Sequence, residues 1–271
     1  MIKLNYLAFA LLFPVFCFSQ NSTYSSDEKK KDISGSDIEK GQKVLIIPFE
    51  PKLYNSEIDQ NLNKETKMNF NQIRYTFRSG LDFSISNTFQ KKYKVISLMN
   101  DTAAASSFLR YIYESIGYSY DLLPDPENKN QKDHSTEHSA VQNGQLTVST
   151  NDQKKFMKVK ISNPNLLATL HNKYGTEIFV FISQLDLRID APNAVSYSSG
   201  NAGRVANIHY SIYDLKGKLI AAGMATKNFP VSVNDPKAIV NNYFNTLAQT
   251  IMDNYTLAIA PKAELNKSPG K

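Results

Sequence analysis

Five consecutive residues, Ile178-Phe179-Val180-Phe181-Ile182, are apolar on both of the faces that a strand presents. A strand of that kind has to be covered from both sides, so it predicts a central position in a sheet clad by helices. The run continues with Leu185, Leu187 and Ile189 alternating with Asp186 and Arg188, which turns one face toward solvent. Asp186 and Arg188 then point the same way and read as a surface ion pair. Further on, Ile208, Tyr210 and Ile212 alternate with His209 and Ser211, placing His209 on an exposed strand face. Asp214-Leu215-Lys216-Gly217 leads back into 219–226, a hairpin signal.

The remaining elements follow from spacing. Lys43-Val44-Leu45-Ile46-Ile47-Pro48-Phe49 is a short buried-strand run, with Pro48 placing its end near an edge or bulge, and a polar loop extends to about Lys67. Phe70, Ile73, Phe77, Leu81, Ile85 and Phe89 recur at three- and four-residue steps and lay one apolar stripe along a helix. Tyr93 to Leu98 reads as a second strand. Asn100-Asp101 can cap a helix that carries Phe108, Leu109, Ile112 and Ile116 and stops at Gly117. Asn163-Pro164 and Gly175 bracket a helix that buries Leu166, Leu167, Leu170 and Tyr174. Asp235-Pro236 opens the last one, bearing Ile239, Tyr243, Phe244, Leu247, Ile251 and Tyr255. The predicted fold class is α/β (α+β), a single mixed sheet with an antiparallel C-terminal meander, covered by about four helices.

Residues 1–19 have the pattern of a secretory signal. Lys3 precedes the apolar run of residues 7–13, and Cys17 and Ser19 stand three and one before a cut at Gln20. Residues 20–42 are Ser, Asp, Glu, Lys and Gly with almost no large apolar side chain, a disordered leader. The domain occupies 43–257. It holds a polar insertion at about 118–160, in which Leu146-Thr147-Val148 and the residues 156–161 pair as a hairpin around Asn151-Asp152. Residues 258–271 form a polar, disordered tail.

These features exclude several function classes. The only cysteine, Cys17, leaves with the signal, so the mature chain has neither disulfides nor thiol chemistry. No later stretch reaches the ~18–20 apolar residues of a membrane-spanning helix. The net charge of +6 is spread over short lysine runs with no nucleic-acid motif to organise them. No cofactor-binding fingerprint occurs, and no cofactor is expected; Gly200-Asn201-Ala202-Gly203 is too short to cradle a phosphate.

Among candidate sites, His134-Ser135-Thr136-Glu137-His138 matches the H-x-x-E-H pattern in which two imidazoles hold zinc and the glutamate activates water. It sits among Asn, Lys, Gln and Asp without the apolar periodicity that would pack a rigid helix, and so reads as a polar loop. Asp186, Asp190 and Asp214 could supply an acid and a base if two of them lay within ~5–10 Å of each other. His171 and His209 have no nucleophile partner. Tyr111, Tyr113, Tyr118 and Tyr120 are the best candidate contact surface, because tyrosine joins a large apolar body to a polar tip.

The opening strand at 44–49, the helix at 73–89 and Tyr93-Lys94-Val95-Ile96 resemble an anticodon-binding-like α/β domain of envelope proteins. So do Glu177-Ile178-Phe179-Val180 and the hairpin from Tyr210 through Asp214 and Gly217 to Leu219. Such domains occur in the curli-secretion lipoprotein family, at the amino terminus of the Tol-system propeller protein, and in lipoprotein activators of penicillin-binding proteins. The signal ending in Phe18-Ser19-Gln20 also resembles exported proteins of the Bacteroidetes. The chain departs from these relatives in lacking a lipid-attachment cysteine and in its insertion. The resemblance implies a non-enzymatic module that docks to other cell-envelope proteins, in the periplasm or peripherally on the envelope. The alternatives are a metal-dependent hydrolase using His134 and His138, or a protein that binds a glycan or small ligand at a concave aromatic site.

Overall fold

A computed structural model of the chain describes residues 41–99, 105–123, 140–142, 145–147, 155–190 and 203–260, all within the unit Ser34–Lys271. Its main sheet is mixed and six-stranded among those residues. β1 (Lys43–Ile47) lies between β3 (Lys94–Ser97) and β8 (Ile178–Asp190), parallel to both. β9 (Gly203–Asp214) and β10 (Leu219–Pro230) continue the sheet as an antiparallel meander, giving the order β10-β9-β8-β1-β3. β2 (Tyr54–Ser56) runs parallel to the far end of β8. The strand apolar on both faces therefore takes the central place expected of it.

Five helices accompany the sheet among the described residues. α1 (Asp59–Thr66), α2 (Phe70–Gln90) and α5 (residues 236–259) cover one face, where Ile73, Phe77, Leu81 and Ile85 meet Ile178, Val180 and Ile182 in the larger apolar cluster. α3 (Ala105–Glu114) and α4 (Leu166–Tyr174) cover the other, over Leu45, Ile47, Phe179 and Phe181. Two of these signals act as the sequence implied, whereas α4 begins at Leu166 after Asn165 rather than at Asn163-Pro164. The Asp235 side chain accepts the Lys237 N–H before Pro236, and Gly175 ends α4 at φ 65°.

α5 is not uniform: Val240–Phe244 forms a π-helical turn between Pro236–Ile239 and Asn245–Ile259. Gly80 of α2 lies against that turn so closely that a Cβ there would come within 2.5 Å of a Val240 methyl. Glycine is the residue that permits this approach.

β8 carries a bulge. Its register against β9 shifts between Ile182 and Gln184, leaving Ser183 as the extra residue. Before the bulge the even-numbered side chains face α2 and α5; after it the odd-numbered ones, Leu185 and Leu187, do so. The face carrying Gln184, Asp186 and Arg188 is thereby switched to the opposite side.

Three local expectations are corrected. The stretch up to Lys67 is not a plain loop but contains β2 and α1. Ile116 belongs to a strand rather than to α3, which ends at Glu114: β4 (Ile116–Leu122) pairs antiparallel with β7 (Lys155–Ile161). β7 therefore does not pair with the 146–148 segment. Instead β6 (Gln145–Thr147) pairs with β5 (Ala140–Gln142). Asn100-Asp101 and Asn151-Asp152 lie outside the described residues.

A candidate binding groove on the open sheet face

The site begins with an unusual way of covering a sheet. β7 presents a backbone edge to β9, and alternate side chains of β9 meet it. Nδ1 of His209 accepts the Met157 N–H at 2.9 Å, Oγ of Ser211 accepts the Val159 N–H at 3.0 Å, and the Tyr213 hydroxyl donates to the Val159 carbonyl at 2.5 Å. Residues two apart on a strand share a face, so one row of β9 supplies all three contacts. Polar side chains are required here because buried backbone N–H and C=O groups must find partners.

Past β7 the same sheet face is left uncovered among the described residues, and a groove of about 740 Å³ opens. Its floor is Gln184, Asp186 and Arg188 from β8, Asn207 and His209 from β9, and Thr226 from β10; Tyr120 and Lys155 also line it. Tyr120 is 56% exposed and its hydroxyl donates to Gln184 Oε1 at 3.1 Å.

Asp186 organises this floor. Its Oδ1 accepts from Asn55 at 2.9 Å and from Gln184 at 2.6 Å, while its Oδ2 accepts from Arg188 at 3.3 Å and lies 3.2 Å from His209 Nε2. Asp186 is only 2% exposed and His209 only 3%. The expected Asp186–Arg188 ion pair forms, with Arg188 exposed but Asp186 buried, and the placement of His209 on an exposed face is corrected. Burial alone would raise the Asp186 pKa, but hydrogen bonds from His209, Asn55 and Gln184 outweigh it and hold the carboxyl below its ordinary value.

The arrangement limits the chemistry. A general base needs a free lone pair, yet His209 accepts at Nδ1 from Met157, which leaves Nε2 to donate to Asp186. Nor can the aspartates act as a pair. Asp190 lies four residues from Asp186 on one strand, roughly 13 Å along it, and Asp214 sits opposite Ile178, roughly 25 Å from Asp186. Thr226 donates to Asn207 Oδ1 at 2.9 Å, leaving the Asn207 NH2 protons uncommitted among the described residues, beside the Arg188 and Lys155 cations and the exposed Tyr120 ring.

Of the four tyrosines singled out in the sequence, three are partly buried against the α3/α4 cluster and one is exposed at the groove. Tyr111 packs on Phe108, and its hydroxyl accepts from Asn163 at 3.1 Å. Tyr113 donates to the Pro48 carbonyl at 2.8 Å and accepts from Arg78 at 2.9 Å; burial pushes its hydroxyl up to about 12. Tyr118 is half-buried against the α3/α4 cluster, with its hydroxyl pKa raised by that burial. Tyr120 reaches the groove. His171 Nδ1 lies 3.0 Å from the Thr176 carbonyl. His134, Glu137 and His138 lie outside the described residues. Asn55, Gln184, Asn207 and Thr226 were missed; the parity change after Ile182 was the signal available for Gln184.

No family model matches the chain, and no curated protein matches it. Among solved structures it is similar to the lipoprotein GNA1162 of Neisseria meningitidis, at 11% identity over 78% of this chain and 96% of that one, with a TM-score of 0.32. It is also similar to the hypothetical protein CT253 of Chlamydia trachomatis, at 10% identity over 80% and 99%, with a TM-score of 0.37. Among the described residues no helix is long and apolar enough to cross a membrane.

Proposed function

We propose that this chain is an exported, non-enzymatic binding module of the bacterial cell envelope, and that the groove beside Tyr120 is where it contacts other envelope proteins. The observation that carries the reading is the saturated Asp186–His209 pair. It gives the groove a rigid polar floor whose acid–base groups are already engaged, while amide, cationic and aromatic groups stay available above it. The signal pattern of residues 1–19 supports export, and residues 20–42 would tether the domain in the periplasm or peripherally on the envelope.

The test is site-specific photocrosslinking in intact envelopes, with the crosslinker at Tyr120 and, as a control, at the exposed Leu257 of α5. A discrete adduct from position 120 that is absent from 257 and lost on Arg188→Glu supports the reading. Equal labelling at both positions removes the groove from it. Stoichiometric zinc in the purified protein, lost on joint replacement of His134 and His138 by alanine, would replace it with a metal-dependent hydrolase.

A further inference from the structure

Asp82 is a carboxyl 97% removed from solvent on the opposite helical layer, 3% exposed in the middle of α2. Its Oδ2 accepts a short hydrogen bond from the Ser97 hydroxyl at the end of β3, and Ser97 Oγ in turn accepts the Met99 N–H at 3.0 Å. Among the described residues its Oδ1 has no hydrogen-bond partner. One turn further along the helix, the hydroxyl of Ser86, 6% exposed, has none either. A buried acceptor of this kind is stabilised by any donor that reaches it.

The chain contains an obvious counter-ion and directs it elsewhere. Arg78, one turn before Asp82 on the same helix, donates through Nε to the Phe49 carbonyl at 2.7 Å and through Nη2 to the Tyr113 hydroxyl at 2.9 Å. Its guanidinium carbon lies 5.9 Å from the Phe49 ring centre. Asp82 and Ser86 instead border a cavity of about 300 Å³, whose other lining includes the amides of Asn87 and Gln90 and no cationic side chain. Tyr75 and Phe83 line it as well, and they are 63% and 64% exposed.

We propose that this cavity receives the guanidinium group of an arginine presented by a partner polypeptide, accepted by Asp82 and Ser86 and flanked by the rings of Tyr75 and Phe83. A guanidinium carries five N–H donors in one plane and no acceptor, matching a site whose buried groups lack donors. Positions 82 and 86 are four apart on a helix, about 5–6 Å between Cβ atoms, a span that a planar fork bridges and a point-like ammonium does not. Guanidinium also sheds water more readily than ammonium and is attracted to aromatic faces. A polypeptide rather than a free amino acid is the occupant because the two exposed rings extend the site beyond the cavity. This inference is independent of the groove.

The test is an amide-shift titration of the mature protein with N-acetyl-arginine amide, its lysine counterpart, and the uncharged citrulline counterpart of the same shape. The expected result is saturable shifts around positions 79–87 with arginine, weaker by about tenfold with citrulline and lysine. Asp82→Asn and the exposed Phe83→Ala should each weaken arginine binding by roughly fivefold with the rest of the spectrum unchanged. Equal response to citrulline or lysine, unchanged binding in the variants, or no saturable shift overturns the proposal. So does a crystal structure in which waters on Asp82 and Ser86 persist in saturating arginine.

Discussion

The backbone N–H of Met157 donates to Nδ1 of His209 at 2.9 Å, and that bond fixes which nitrogen of a buried imidazole carries the proton. With Nδ1 accepting, Nε2 is the donor, and it faces Asp186 at 3.2 Å. One side chain thereby joins the β7 edge to the groove floor.

Replacing His209 with alanine leaves a buried N–H and one carboxylate oxygen short of a partner. A loss of about 2–4 kcal/mol is expected in urea unfolding. Native-state hydrogen exchange should localise it: the Met157 amide speeds up, while Val159, held by Ser211, changes less.

Asp82 makes stability depend on pH in a direction opposite to most carboxyls. Burial raises its pKa to about 6, against which Ser97 and Arg78 act only partly, from an ordinary value of 3.8. Between about pH 4 and pH 6 the folded chain holds more protons than the unfolded one, so stability falls as pH rises through that window. Asp82→Asn should abolish the fall and gain about 2–3 kcal/mol at pH 7. Unfolding midpoints across pH 4–7 for both proteins check this.

Asp186 acts on the acid side. Its carboxyl is held below the ordinary value, so the stability it contributes is fully present above the unfolded pKa and disappears as pH falls through the folded one. Asp186→Asn should flatten that acid limb while leaving the slope due to Asp82 in place. Acid titration of the near-ultraviolet tyrosine signal separates the two.

Gly80→Ala should destabilise the protein despite alanine's better helix propensity. The new methyl meets Val240 at 2.5 Å, an overpacking cost of about 1–3 kcal/mol against a gain of about 1 kcal/mol. Adding Val240→Ala should remove most of the clash, so the two substitutions should be non-additive in thermal unfolding.

How much of this was legible follows from what each segment buries. The stripe from Ile73 to Phe89 announces α2 because every member faces the core, whereas Phe70 at its start is 51% exposed. α1 was hidden because only Leu62 of its eight residues is buried. His209 and Ser211 looked exposed because polar side chains on alternate positions usually meet water. Here they meet a backbone edge, which asks for the same side-chain chemistry. The partner of β7 was misread because Asn151-Asp152 offered a nearby turn, whereas β4, more than thirty residues away, was masked by Gly117 reading as a helix stop. Of the four tyrosines, spacing alone could not tell those packed partly buried against the α3/α4 cluster from the one at the groove.

The extra residue at Ser183 has an evolutionary consequence. It divides one strand into a segment whose substitutions disturb two cores and a segment whose positions serve separate masters. Leu185 and Leu187 pack toward the helices, while 184, 186 and 188 line the groove. Under the proposed reading of the groove, recognition can therefore drift by exchange at the exposed Arg188, while the buried Gln184 and Asp186 and the leucines beside them keep the scaffold unchanged.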